Sequence, residues 1–244
     1  MQSRDEGSSK KTSTLSEFLV KPWNRTNSAT IFEFSARLIE GGTNALPELL
    51  KMLTAEDSVL TKAKMKINSA GFIKIGGFIP ADEIRSRAIR GFGILRRTAG
   101  PAIPVLTNMI ERSEAAESAV DALCAIRDEA VTALIQVLRS NSDPNLRRYT
   151  LHAIEKSGFS RKERYRMFFE ALDDPEPVVR SNALFSLHGL LSSSGASVPS
   201  SNAITKISKQ LSDPNESVRF LATQAVERIA ELQKGDKPRV YRYE

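Results

Sequence analysis

Side chains able to do nucleophilic or metal chemistry are scarce: two histidines, His152 and His188, and one cysteine, Cys124, in 244 residues. A covalent nucleophile needs a base within hydrogen-bond reach and a third group that orients the base. A zinc site needs three or four ligands converging at about 2 Å. Cys124, Glu155 and His188 stand 31 and then 33 residues apart, the spacing of equivalent positions in successive structural units. Neighbouring helices lie about 8–10 Å apart, so His188 and Glu155 are expected to pair, but three such residues cannot close on one ion. Gly71, Gly76 and Gly77 lack the G-K-[ST] ending of a phosphate loop and do not fit G-x-G-x-x-G, so they read as turn residues. No catalytic, cofactor-binding or metal-ligating residue is expected, and the chain is read as a non-enzyme.

The elements that would carry any site are clearest in Leu172 to Leu187. Asp174-Pro175 ends one helix, since proline has no N–H and disfavours helix in the residue before it. The same Asp or Pro can open the next helix. Val179, Ala183, Leu187 and Leu190 then recur at helical spacing as one apolar stripe, and small residues at Ala183 and Ser186 admit a second helix closely. The register Arg180, Ala183, Ser186, Leu187 returns as Arg219, Ala222, Ala225, Val226. Upstream it reads Arg147, Thr150, Ala153, Ile154, then Ala116, Ala119, Ala122, Leu123, then Arg85, Ala88, Gly91, Phe92. Successive copies are 31, 31, 33 and 39 residues apart, the last stretched by the Ser-rich loop from Ser192 to Ser201. An apolar helix precedes each copy, at 45–53, 102–110, 130–138, 165–172 and 203–211. Such a period is the mark of a repeat architecture.

A period in the thirties, two helices per unit and D-P-x-x-x-V-R at the inner turn resemble the HEAT-repeat family, over roughly residues 27 to 233. The segment G-T-N-A-L-P-E-L-L-K-M-L, an insert, and P-A-D-E-I-R-S-R-A-I-R-G-F together resemble a subgroup of bacterial HEAT-repeat proteins. The resemblance implies an all-α, α-α superhelix of about five hairpins. It also implies a structural ladder between repeats, using Asp143, Asp174 and Asp213 with Arg147, Arg180 and Arg219. The turn is shorter at Asp143, and the Arg is missing in the repeat around Ala116.

Composition fits a folded chain, with 41% hydrophobic and 26% charged residues. A lone cysteine forms no internal disulfide, so nothing requires an oxidising compartment. No apolar run approaches the ~20 residues that cross a bilayer. The cytoplasm is therefore favoured, or export if a signal segment preceded this sequence. Residues 1–13 read as a polar, disordered tail and 234–244 as a C-terminal tail carrying Tyr241 and Tyr243, around a single HEAT-like domain at 14–233. Leu15 to Val20 reads as a short helix, with Phe18 and Trp23 capping the first core layer. The insert at 54–79 delays the second helix of the first full repeat and carries Lys62, Lys64, Lys66 and Lys74. It reads as a solvated helix plus a packed loop, or as a lip on the binding face.

Stepping 100° per residue from the small-residue spine gives the ridge a ligand would meet. That ridge comprises Ser86, Arg90, Gly93 and Arg97; Glu117, Asp121 and Cys124; Arg148, His152 and Glu155; Ser181, Phe185, His188 and Ser192; and Phe220, Gln224, Glu227 and Glu231. A net charge of +6, with nine Lys/Arg against two acids between residues 62 and 97, invites a nucleic-acid reading. Phosphate binding needs a continuous positive track, and Glu117, Asp121, Glu227 and Glu231 interrupt it. HEAT-like DNA glycosylases carry a basic groove with aromatic and carboxylate groups, a constellation not matched here. Mixed charge suits a peptide or protein segment, for which it sets register. The expected contacts are Arg90, Arg97, Arg148, His152, Phe185, His188 and Phe220, on a monomeric, non-catalytic scaffold. Phe168 and Phe169 are expected in the core, and Arg161, Lys162, Arg164 and Arg166 on a solvated face.

Overall fold

The computed structural model describes residues 28–71 and 75–235. The expected tail at 1–13, the helix at Leu15 to Val20, the Phe18–Trp23 cap and the two C-terminal tyrosines lie outside the described residues, as does Lys74. The described residues are all-α, with no strand among them, and no helix is long and apolar enough to cross a membrane. They fall into two compact units that divide between Leu95 and Arg96.

The first unit holds α1 (Ser28–Gly41), α2 (Leu46–Leu53), α3 (Val59–Ser69) and α4 (Ala81–Leu95). Helices α1 and α2 both pack on α4, burying Phe34, Leu38, Leu49, Leu53 and Phe92 completely. Gly91 permits this approach: a Cβ there would lie 2.6 Å from Leu49 Cδ2. The delay expected before the second helix is occupied by α3, an 11-residue helix that buries none of its residues. The segment is anchored at both ends. Asp57 accepts from the Ala81 N–H at 2.8 Å, and Arg85 donates to the Ala55 carbonyl at 2.7 Å. Asn68 pairs with both backbone groups of Ile75.

The second unit contains four hairpins in succession. They are α5 (Ile103–Glu111) with α6 (Ala116–Ile126), α7 (Val131–Ser140) with α8 (Pro144–Lys156), α9 (Arg161–Glu170) with α10 (Pro177–Ser192), and α11 (Ser201–Lys209) with α12 (Glu216–Gln233). The second helices stack in order, α6 on α8, α8 on α10, α10 on α12; the first helices α5, α7 and α9 do the same. Two layers therefore run side by side, each repeat contacting its neighbours, which makes this unit a helical-repeat solenoid. The small-residue spine lies between them: Ala119, Thr150, Ala183 and Ala222 are fully buried. Buried Thr150 directs its hydroxyl to the Leu146 carbonyl, a satisfied polar group in an otherwise apolar row.

The inner turns show why the repeat signature varies. At Asp143 the helix opens at Pro144 with the carboxylate accepting from the Asn145 N–H, a cap with proline in the first turn. Beyond Asp174 the helix starts three residues later, at Pro177, and the Asp174 carboxylate caps the turn by accepting from the Glu176 N–H. The repeat at Ala116 has no Asp-Pro. There Ser113 and Ala115 adopt positive φ of 57° and 46°, and α6 begins without a side-chain cap. One outer corner is strained: Arg127, at the end of α6, holds φ 73°, ψ −124°, a conformation that costs a non-glycine residue about 1–3 kcal/mol. Its guanidinium lies against Gly158, where a Cβ would overlap it.

Candidate functional site

Four of the expected contacts sit on the open face of the second layer in the second unit. Phe185 on α10 and Phe220 on α12 are 60% and 61% exposed, and Arg148 on α8 is also exposed. His152 lies exposed one turn beyond Arg148. Large aromatics normally retreat from water on a well-packed helix, so two on adjacent packed helices form an apolar patch that a partner could cover. By register Phe220 falls level with Ser181, between Val178 and Phe185, and Val178 is itself exposed. Among the described residues, neither Arg148 on one side of this patch nor Glu227 on the other has an ion-pair partner, and both are exposed. The ridge thus runs from cation through aromatics to carboxylate.

His188 is half-buried beside Arg228, and burial followed by that positive charge lowers its pKa, favouring the neutral imidazole. The pairing expected with Glu155 gives way to other contacts. Glu155 accepts from the Ser186 hydroxyl at 3.3 Å, and His188 Nε2 meets the Ser192 hydroxyl at 3.5 Å. Arg228 is buried, donating to the Leu191 carbonyl at the end of α10 and to Glu231, so Glu231 is not a free acid on the ridge.

The second copy of the ridge also differs from expectation. Cys124 is buried rather than exposed, and desolvation raises its thiol pKa, leaving an inert thiol. Asp121 is half-buried because Tyr149 reaches across from α8 and donates its hydroxyl at 2.8 Å. Burial raises the Asp121 pKa, and the Tyr149 bond opposes that rise. Only Glu117 remains as a fully solvated acid there. Arg97 lies off the ridge, in the 3-10 turn Arg96–Ala102, where it donates to Glu129 at 2.7 Å. That pair is largely solvated and contributes little to stability. Arg90 is exposed on α4 and belongs to the first unit.

The inter-repeat ladder is a set of forked ion pairs. Arg147 donates through Nε and Nη2 to Asp174 at 2.6 and 2.8 Å, with side chains only 6% and 1% exposed. Arg180 repeats the fork on Asp213 at 2.8 and 2.9 Å, and holds the Asp213 carboxyl below the usual range. Each Arg also uses Nη1 on the carbonyl six residues back, Arg147 on Asn141, Arg180 on Asp174 and Arg219 on Asp213. One side chain therefore ties its own turn and, for the first two, the next repeat. Among the described residues Asp143 receives no such fork, because the preceding copy has no Arg, and Arg219 ends the series.

Other clusters read as structural. Arg161, expected on a solvated face, instead donates to Ser193 Oγ and the Ser194 carbonyl of the following loop. Phe168 is fully buried and Tyr165 stacks on Phe169 at 5.8 Å. A cavity of about 470 Å³ is lined by Arg96, Arg97 and Arg127 with Asp128, Glu129 and Glu163. Three cations and three carboxylates line it, so it carries no net charge. Among the described residues, no three His, Cys, Asp or Glu side chains approach closely enough to hold a metal.

No family model and no curated protein matches the chain. Among solved structures it is similar to two engineered proteins and one designed armadillo repeat protein. The first engineered protein gives a TM-score of 0.41 at 19% identity, covering 91% of this chain and 97% of that one. The second gives 0.38 at 18%, covering 89% and 98%. The designed protein, solved in complex with peptide (KR)4, gives 0.39 at 13%, covering 88% and 98%.

Proposed function

We propose that the chain is a monomeric, non-catalytic, HEAT-like scaffold, with 14–233 acting as one domain, that binds a peptide or protein segment along the open face of α8, α10 and α12. The observation that carries this reading is the pair of exposed aromatics, Phe185 and Phe220, set between exposed Arg148 and Glu227, neither of which has an ion-pair partner among the described residues. Aromatic anchors framed by opposite charges supply affinity at the centre and register at the ends. Two helix spacings separate Arg148 from Glu227, about 20 Å, which an extended segment of roughly six residues spans. Nucleic acid fits less well: Glu117 and Glu227 break the positive track, and the basic run from 62 to 97 is shared between the two units.

Selection from a random peptide library on the immobilised full chain tests this. Wild type is expected to enrich segments with an aromatic or aliphatic centre, an acid towards one end and a base towards the other. Arg148→Glu makes both ends of the ridge acidic and is expected to move the enrichment to segments basic at both ends. Failure to enrich any pattern, or the same pattern from both chains, counts against the reading. Affinity that falls steeply with salt for DNA or RNA, and for no peptide, would favour the nucleic-acid alternative.

A further inference from the structure

Helix α3 presents to solvent the kind of face that a helix normally buries. Val59 is 86% and Leu60 65% exposed, Ile67 and Ala63 are exposed as well, and no residue of the helix is buried. Stepping about 100° per residue, these four side chains fall within one arc of roughly 100°. Lys66 and then Lys62 lie just beyond one edge of the arc, and Lys64 beyond the other. On the far side Asn68 is hydrogen-bonded to Ile75 and Lys64 leans 5.9 Å over the Phe78 ring, while Met65 is 37% exposed. The helix is therefore held from behind with its apolar stripe outward. Between Asp57 and Asp82 the sequence contains no acid.

We propose that α3 is an interfacial element that docks the protein on an anionic lipid surface. An apolar stripe edged by exposed lysines, Lys62 and Lys66, matches a helix lying in the plane of a bilayer interface. The aliphatic side chains enter the acyl boundary, and the ammonium groups of exposed Lys62 and Lys66 beside them reach anionic headgroups at one level. A phosphodiester backbone would engage the lysines but leave the four aliphatic residues in water, which disfavours nucleic acid as the occupant. One short helix of this kind gives weak, reversible attachment and no span, so the surface acts as a tether. It is independent of the ridge on α8, α10 and α12.

Co-sedimentation of the full chain with phosphatidylcholine vesicles, with and without phosphatidylglycerol, tests the proposal. Binding is expected only to the phosphatidylglycerol vesicles and is expected to weaken as salt is added. Leu60→Asp with Ile67→Asp should lower it by roughly tenfold or more, and Lys62→Ala with Lys66→Ala by roughly tenfold. All four positions are exposed, so helical circular dichroism should stay unchanged. Phe185→Ala should leave vesicle binding as it was. No binding to phosphatidylglycerol vesicles, equal binding to neutral ones, or indifference to both double variants would each overturn it. So would loss of RNA or acidic-peptide binding in those variants with vesicle binding intact.

Discussion

Replacing Asp174 by alanine is expected to destabilise the second unit by roughly 3–5 kcal/mol, the cost of leaving one partner of a buried ion pair uncompensated. Arg147 would keep its charge in a site where its side chain is 6% exposed, without the carboxylate that accepts two of its N–H groups. The Glu176 N–H would lose its acceptor in the same step. Removing both members, as Arg147→Met with Asp174→Leu, should restore most of that loss, because well-packed apolar side chains avoid the desolvation penalty. The readout is the urea midpoint followed by helical circular dichroism, with the slope checked for unchanged cooperativity. Asp213→Ala should cost less, since Arg180 reaches water more than Arg147 does. Equal, small losses at both positions would mean that the ladder is a surface decoration.

Phe185→Ala and Phe220→Ala are each expected to weaken a selected peptide by about 2 kcal/mol or more, roughly thirtyfold in Kd. Stability should move by less than about 0.5 kcal/mol, because both rings stand largely in water in the free protein. Fluorescence anisotropy of the labelled peptide against each variant, beside the unfolding midpoint, separates the two effects. Losses of affinity that track losses of stability would indicate a folding defect rather than a lost anchor.

The spine was legible because its chemistry is local: Ala119, Ala183 and Ala222 recur at intervals set by two helices and two turns, and the structure buries all three completely. The Arg147–Asp174 and Arg180–Asp213 forks follow from the family resemblance at the D-P turns, and the missing Arg before Asp143 explains the missing rung. The ridge was only partly legible. A 100° step places Cys124 with Asp121 on the open face, but it carries no information about what a neighbouring helix lays across them, and Tyr149 covers that face. Arg97 slips off the ridge because α4 ends at Leu95, two residues before the periodicity suggests. Arg127 gives no signal of its left-handed backbone, since glycine or asparagine marks such corners in sequence and arginine does not. The outward stripe of α3 was equally hidden, because the same pattern is written for a helix that buries its apolar side.

Site-specific photo-crosslinking addresses the central claim most directly. A benzophenone amino acid at position 185 or 220 of the full chain should capture a library-selected peptide on illumination, while the same group at position 105, exposed on α5 in the other layer, should not. Equal capture at position 105, or none at 185 and 220 with the peptide still bound, would contradict a binding face on α8, α10 and α12.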